Sequence, residues 1–124
     1  MNRPVVYVSD PYSSDPVRGT RRAIDAGKML VSLGMAPMVP HLSLLFDIVH
    51  PLSYKEWIAM DLAFVAKCDA VYRLDGKSDG ADKEVAHAKE HGIPVFTSIQ
   101  DLAVWAGDKL LANKGDECPS EPQN

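Results

Sequence analysis

The chain predicts a single-domain α/β fold with a doubly wound parallel sheet, a three-layer sandwich of the flavodoxin or Rossmann type. Three observations lead there. Short apolar runs alternate with longer amphipathic stretches in the order β-α-β-α-β-α-β-α, and strands that alternate with helices pair in parallel through right-handed crossovers, with helices on both faces. The runs are bounded by Pro, Gly, Asp and Ser, which end strands and cap helices. A length of 124 residues, 46% apolar and 24% charged, suits one globular core and leaves no room for a second.

Residues 4–9, Pro-Val-Val-Tyr-Val-Ser, read as a short central strand ended by the turn-forming Asp10-Pro11. Asp15-Pro16 supplies an N-cap and a first-turn proline for a helix that runs to about Leu33 and stops at Gly34. A short strand at 36–39 leads into a connection, 40–51, rich in apolar residues and carrying His41 and His50. Ser53-Tyr54-Lys55-Glu56 matches a capping box and opens a helix in the segment 53–68. Trp57, Phe64, Val65 and Cys68 recur there at helical spacing as an inward face. A strand at 69–74, a polar loop at 75–79, a helix at 80–91, a strand at 93–97 and a helix from 101 to about 111 complete the pattern. The domain spans 1–112, and the Gly, Asp, Glu, Pro, Ser and Gln composition of 113–124 predicts a disordered tail.

Two carboxylates stand where periodicity calls for apolar residues. Asp61 lies on the face marked by Trp57, Phe64 and Val65, and Glu84 sits with the Ala81, Val85 and Ala88 stripe of the next helix. A carboxylate in such a place costs several kcal/mol unless it is paired, hydrogen-bonded or opens onto a cleft. Two acids in one cleft are what glycosyl chemistry uses, whereas acids at the edge of each stripe would simply reach water. In a doubly wound sheet the binding crevice lies beyond the carboxyl ends of the strands, where residues 9–14 and 75–80 should converge.

The rest of the sequence narrows the function by exclusion. The net charge of -4 and scattered basic residues argue against a nucleic-acid polymer as partner, although Arg18, Arg21 and Arg22 cluster near one helix start and suit a small anion. Two cysteines form no disulfide framework, and the absence of a signal peptide or a membrane-length apolar run predicts a cytoplasmic protein without a membrane partner. His41, Asp47 and His50 lack the spacing of a metal set, and there is no Walker loop or dinucleotide glycine fingerprint, so no cofactor is implied.

In their order and spacing, several segments together resemble the nucleoside 2-deoxyribosyltransferase superfamily, in particular its small phage and bacterial branch. They are Tyr7-Val8-Ser9-Asp10-Pro11-Tyr12, Pro40-His41-Leu42, Trp57 to Asp61 with Cys68-Asp69-Ala70, and Ser78-Asp79-Gly80-Ala81-Asp82-Lys83-Glu84. The resemblance implies that Glu84 is a nucleophile, that Asp61 works at the base or its leaving nitrogen, and that Tyr7 orients Glu84. On the residues alone, Tyr7 also reads as a core aromatic and Glu84 as an acid favoured at a helix start. His41 would line the pocket near the base. Trp57 would stack on it or belong to the core.

Within that superfamily the position of Ser78 separates branches: an acid in that neighbourhood receives a sugar hydroxyl, and a serine receives a 5'-phosphate. The implied anion seat comprises Ser78, Gly80 and the Ala81 amide, with Ser9, Ser13, Ser14 and Arg18 or Arg21 around it. Asp79 either caps the helix or takes the hydroxyl role. Asp10 departs from the glycine of many relatives and would narrow the sugar pocket or add an acid to it. The expected activity is hydrolysis of the N-glycosidic bond of a nucleoside 5'-monophosphate or nucleoside. Base exchange and a non-catalytic nucleotide sensor are the alternatives. Relatives also imply a homodimer or higher homo-oligomer.

Overall fold

The computed structural model describes residues 3–11 and 16–116, with backbone alone at 16–18 and 113–116. Strand β1 (Val5–Ser9) occupies the interior of a four-stranded sheet with β2 (Ala36–Met38), β3 (Ala70–Arg73) and β4 (Val95–Phe96) in the order β2-β1-β3-β4. All pairings are parallel, with Val6 opposite Pro37 and Ala70, and Val71 opposite Val95. Pro37 lacks an N–H, and its strand is an edge, the place where a sheet tolerates proline. The chain leaves β1 to one side for β2 and returns to its other side for β3, so a topological switch point opens between β1 and β3.

The period of two along β1 divides the core. Val6 and Val8 pack with Ala70 against Ala23 and Leu30 of α1 (Pro16–Ser32) and Leu102 and Ala106 of α5 (Ile99–Asp116). Tyr7 points the other way and joins Val71, Cys68, Val65 of α3 (Tyr54–Val65) and Ala88 of α4 (Asp79–Glu90). Helices therefore cover both faces, as the alternating pattern predicts.

Local chemistry sets the helix ends. Ser53 Oγ accepts the Glu56 N–H at 3.2 Å and Glu56 Oε1 accepts the Ser53 N–H at 3.1 Å, completing the capping box of α3. Gly34 ends α1 at φ 88°, where the Met35 N–H reaches the Leu30 carbonyl (2.9 Å) and the Gly34 N–H reaches that of Val31 (3.1 Å). That pair of bonds is a Schellman stop, and its left-handed residue favours glycine.

Four details differ from the sequence expectations. The connection 40–51 is structured, with a 3-10 turn at Pro40–Ser43 and a short helix α2 at Leu44–Val49. Phe64, expected on the inward face of α3, is 40% exposed, and α3 stops at Val65, so buried Cys68 follows the helix. With only 12 residues and a wall to build, α3 turns Trp57, Ile58 and Asp61 toward a cleft rather than centring its stripe on the core. The last helix starts at Ile99 and runs to Asp116, through the first residues assigned to the tail. Asp15, the expected N-cap of α1, and residues 117–124 lie outside the described residues.

Two glycines should respond in opposite ways to substitution. Gly34→Ala would force a Cβ into a left-handed residue 2.8 Å from Leu110 Cδ1 and should destabilise by about 1–2 kcal/mol. Gly107 lies inside α5, where an added Cβ meets nothing within 4 Å, so Gly107→Ala should stabilise by about 0.5–1 kcal/mol. Denaturant unfolding of the two variants measures both signs.

Candidate active site

At the carboxyl ends of β1 and β3 lies a cleft of about 350 Å³. Its floor is Glu84. Residues Ala81, Glu84 and Ala88 are the buried stripe of α4, so helical spacing carries this carboxylate inward to 7% exposure. Two hydroxyls from one strand receive it: Tyr7 Oη donates to Oε2 at 2.7 Å and Ser9 Oγ donates to Oε1 at 2.8 Å. Tyr7 and Ser9 are two residues apart on β1 and so share a sheet face. Burial pushes the Glu84 carboxyl above its usual range, while the two hydroxyls and the positive field of Arg73 act in the opposite direction.

Asp61 faces the same cleft from α3, half-buried. Burial, reinforced by the negative charge of Glu84, pushes its pKa up to about 7. The cleft therefore presents two acids in unlike surroundings: one gripped by hydrogen bonds, the other holding its proton near neutrality.

The walls come from the segments around the switch point. His41, 1% exposed, and Leu44 close one side; Tyr54, Trp57 and Ile58 of α3 close the other. Burial lowers the pKa of His41, with the field of Asp10 opposing and that of Arg22 adding to the effect. Trp57 Nε1 donates to Asp47 Oδ1 at 2.7 Å, and its ring meets Phe46 edge-on at 5.4 Å, so α2 is tied to α3, and both line the cleft. That bond, with the Leu52 N–H, lowers the pKa of Asp47.

The structure distributes the other expected site residues unevenly. Ser78, Gly80 and Ala81 line the cleft at the start of α4, and Ser78 is its N-cap, accepting the Ala81 N–H at 3.1 Å. Asp79 is thus the first helical residue rather than the cap. Ser9, expected beside an anion seat, donates its hydroxyl hydrogen bond to Glu84 instead. Asp10 borders the cleft with a fully buried side chain held by Arg22. Arg22 and exposed Arg21, which pairs with Asp25 at 3.9 Å, are engaged with acids of the chain itself. Ser13, Ser14 and the side chain of Arg18 lie outside the described residues. Asp47, Tyr54, Ile58 and the Arg22 pairing were not anticipated; the shared strand face of Tyr7 and Ser9 was the signal available for the second hydroxyl on Glu84. Among the described residues no group of three or more His, Cys, Asp and Glu could hold a metal ion, and no helix is long and apolar enough to cross a membrane.

Residues 4–98 match the model of a family described as a domain of unknown function, DUF7768, and the chain belongs to that family. No curated protein matches it significantly. A solved structure of a 2-deoxyribosyltransferase from the psychrotolerant bacterium Bacillus psychrosaccharolyticus is similar with a TM-score of 0.58, over 73% of this chain and 69% of that one, at 22% identity. At that identity the likeness shows a shared fold, remote and deoxyribosyltransferase-like.

Asp61 supplies a stability test of the site. It binds its proton more tightly in the folded than in the unfolded chain, so its contribution favours folding fully below pH 3.8 and is lost as pH rises to about 7. Asp61→Asn should therefore be more stable than the unmodified chain at pH 8, by on the order of 1 kcal/mol given the partial exposure of the group. The difference should vanish near pH 4 in parallel denaturant titrations.

Proposed function

We propose that the protein cleaves the N-glycosidic bond of a nucleoside or nucleoside 5'-monophosphate, with Glu84 as nucleophile and water as the acceptor. The observation that carries this reading is the Glu84 carboxylate held by Tyr7 and Ser9 at the floor of a cleft that it shares with Asp61. The remote fold likeness to a 2-deoxyribosyltransferase supports the same chemistry.

One Glu84 oxygen attacks the anomeric carbon as the bond to the base breaks, and the electron pair of that bond leaves on the base nitrogen. Asp61, which keeps its proton below about pH 7, delivers it to that nitrogen and becomes the carboxylate. The product is a glycosyl ester of Glu84 and a free base. Water then attacks the same carbon, Asp61 takes its proton, and Glu84 departs as the carboxylate. Each cycle consumes one water and restores both acids. Hydrogen bonds from Tyr7 and Ser9 hold one rotamer of Glu84 and favour its ionised, nucleophilic form. Trp57, Ile58 and Leu44 offer the base an apolar wall, and His41 stands at the same wall.

A second reading, base exchange, is favoured by the activity named for the structural neighbour; it differs only in that a second base nitrogen, rather than water, resolves the ester. Base release from a panel of ribo- and deoxyribonucleosides and their monophosphates, with and without an added free base, separates the two. Glu84→Gln should lower turnover at least about a thousandfold while preserving binding. Turnover unchanged in that variant would refute the assignment of the nucleophile. The rate should fall above about pH 7 as Asp61 loses its proton, and Asp61→Asn should lose that alkaline limb along with about a hundredfold or more in rate.

A further inference from the structure

The cleft is built with carboxylates. Asp10, Asp47, Asp61, Asp79 and Glu84 line it, and no lysine or arginine does so among the described residues. Among the described residues, two arginines close by are already engaged. Arg22 Nε donates to Asp10 Oδ1 and Oδ2 at 3.1 and 3.2 Å, while its Nη2 donates to Oδ1 and to the Asp75 carbonyl, the latter at 2.7 Å. Arg73 donates to the carbonyls of Leu74 and Gly76 and lies 3.4 Å from Asp82. Lys83 lies 5.4 Å from the centre of the Tyr54 ring and does not line the cleft. At the start of α4, Ser78 Oγ occupies the Ala81 amide, and Asp79 and Asp82 stand in the first turn.

We propose that Asp10 is a specificity-determining residue: an internal carboxylate that takes up the Arg22 fork an incoming phosphate would need, so that the cleft accepts an uncharged nucleoside and rejects its 5'-monophosphate. The inference rests on the glycosidic reading above and narrows its substrate class. A guanidinium grips carboxylate and phosphate with the same two parallel donors, so an acid seated on the Nε–Nη2 edge of Arg22 excludes the other from that edge. Asp10 is the permanent occupant: its side chain is fully buried, whereas that of Arg22 is 48% exposed. A phosphate ester carrying about -1.5 to -2 charges would enter among carboxylates in an apolar-walled cleft and find the Arg22 fork already paired. Rejection of this kind is built from repulsion and unmet charge rather than from loss of contact.

Calorimetric titration of the full-length Glu84→Gln protein, in which turnover does not interfere, tests the inference with matched pairs of nucleoside and 5'-monophosphate. At low salt each monophosphate should bind at least about tenfold more weakly than its nucleoside, and the gap should shrink as added salt screens the carboxylates. Adding Asp10→Asn should close about tenfold of the gap by freeing Arg22. Monophosphates that bind as tightly as nucleosides, or more tightly, overturn the inference and leave the glycosidic reading standing. Failure of every nucleoside and monophosphate to bind overturns both. A folded Asp10→Asn variant with an unchanged gap overturns the role of Asp10. Should that variant not fold, the matched pairs and their salt dependence still decide the substrate class.

Discussion

A carboxylate drawn into the end of a parallel sheet has to be met by donors, and here both come from one strand. The bonds from Tyr7 and Ser9 to Glu84 join β1 to α4 at 2.7 and 2.8 Å, and the arrangement of the rest follows from them. Left alone, the buried acid would cost several kcal/mol; with two hydroxyls and the nearby Arg73 it is held in one place. The phase of β1 is thereby constrained twice. Val6 and Val8 must face α1 and α5 to fill the core, and Tyr7 and Ser9 must face α4 to meet the acid. A slip of one residue in register would break both conditions together.

The same economy governs three other acids of the cleft, each of which has a different answer to its charge. Asp10 is neutralised by Arg22 in a bidentate pair, and Asp47 accepts from Trp57 and from the Leu52 backbone. Asp61, with neither, holds its proton instead, its pKa pushed up to about 7 by burial and by Glu84. Neighbouring carboxyls in one cleft thus sit in unlike environments, the arrangement by which a site can give two acids different tasks. The bond between Asp47 and Trp57 also ties α2 to α3, both of which line the cleft.

Much of this was legible in the sequence, and the parts that were not have physical reasons. Strand and helix order followed from alternating apolar runs, and the ends of α1 and α3 from Gly34 and the Ser53-Glu56 box, since these signals are local. Glu84 announced itself as an acid in an apolar stripe. The helix α2 was hidden because Leu44 to Val49 is short, and Leu45, Ile48 and Val49 remain largely exposed, which blurs helical periodicity. Phe64 was misplaced because α3 faces a cleft as well as the core, and periodicity cannot distinguish a wall from a core. The pairing of Asp10 with Arg22 spans 12 residues and depends on how the β1 turn meets α1, a tertiary fact with no local signature.

The claim at the centre of this account is that Glu84 forms a covalent bond to the sugar. Incubation of the full-length protein with 2'-deoxy-2'-fluoro nucleosides, whose fluorine slows both formation and breakdown of the ester, followed by peptide mass spectrometry, addresses it directly. The account predicts a mass increase of one fluoroglycosyl group on the peptide that contains Glu84, absent from Glu84→Gln. Release of base with the label on another residue, or with no labelled peptide at any time, would contradict it.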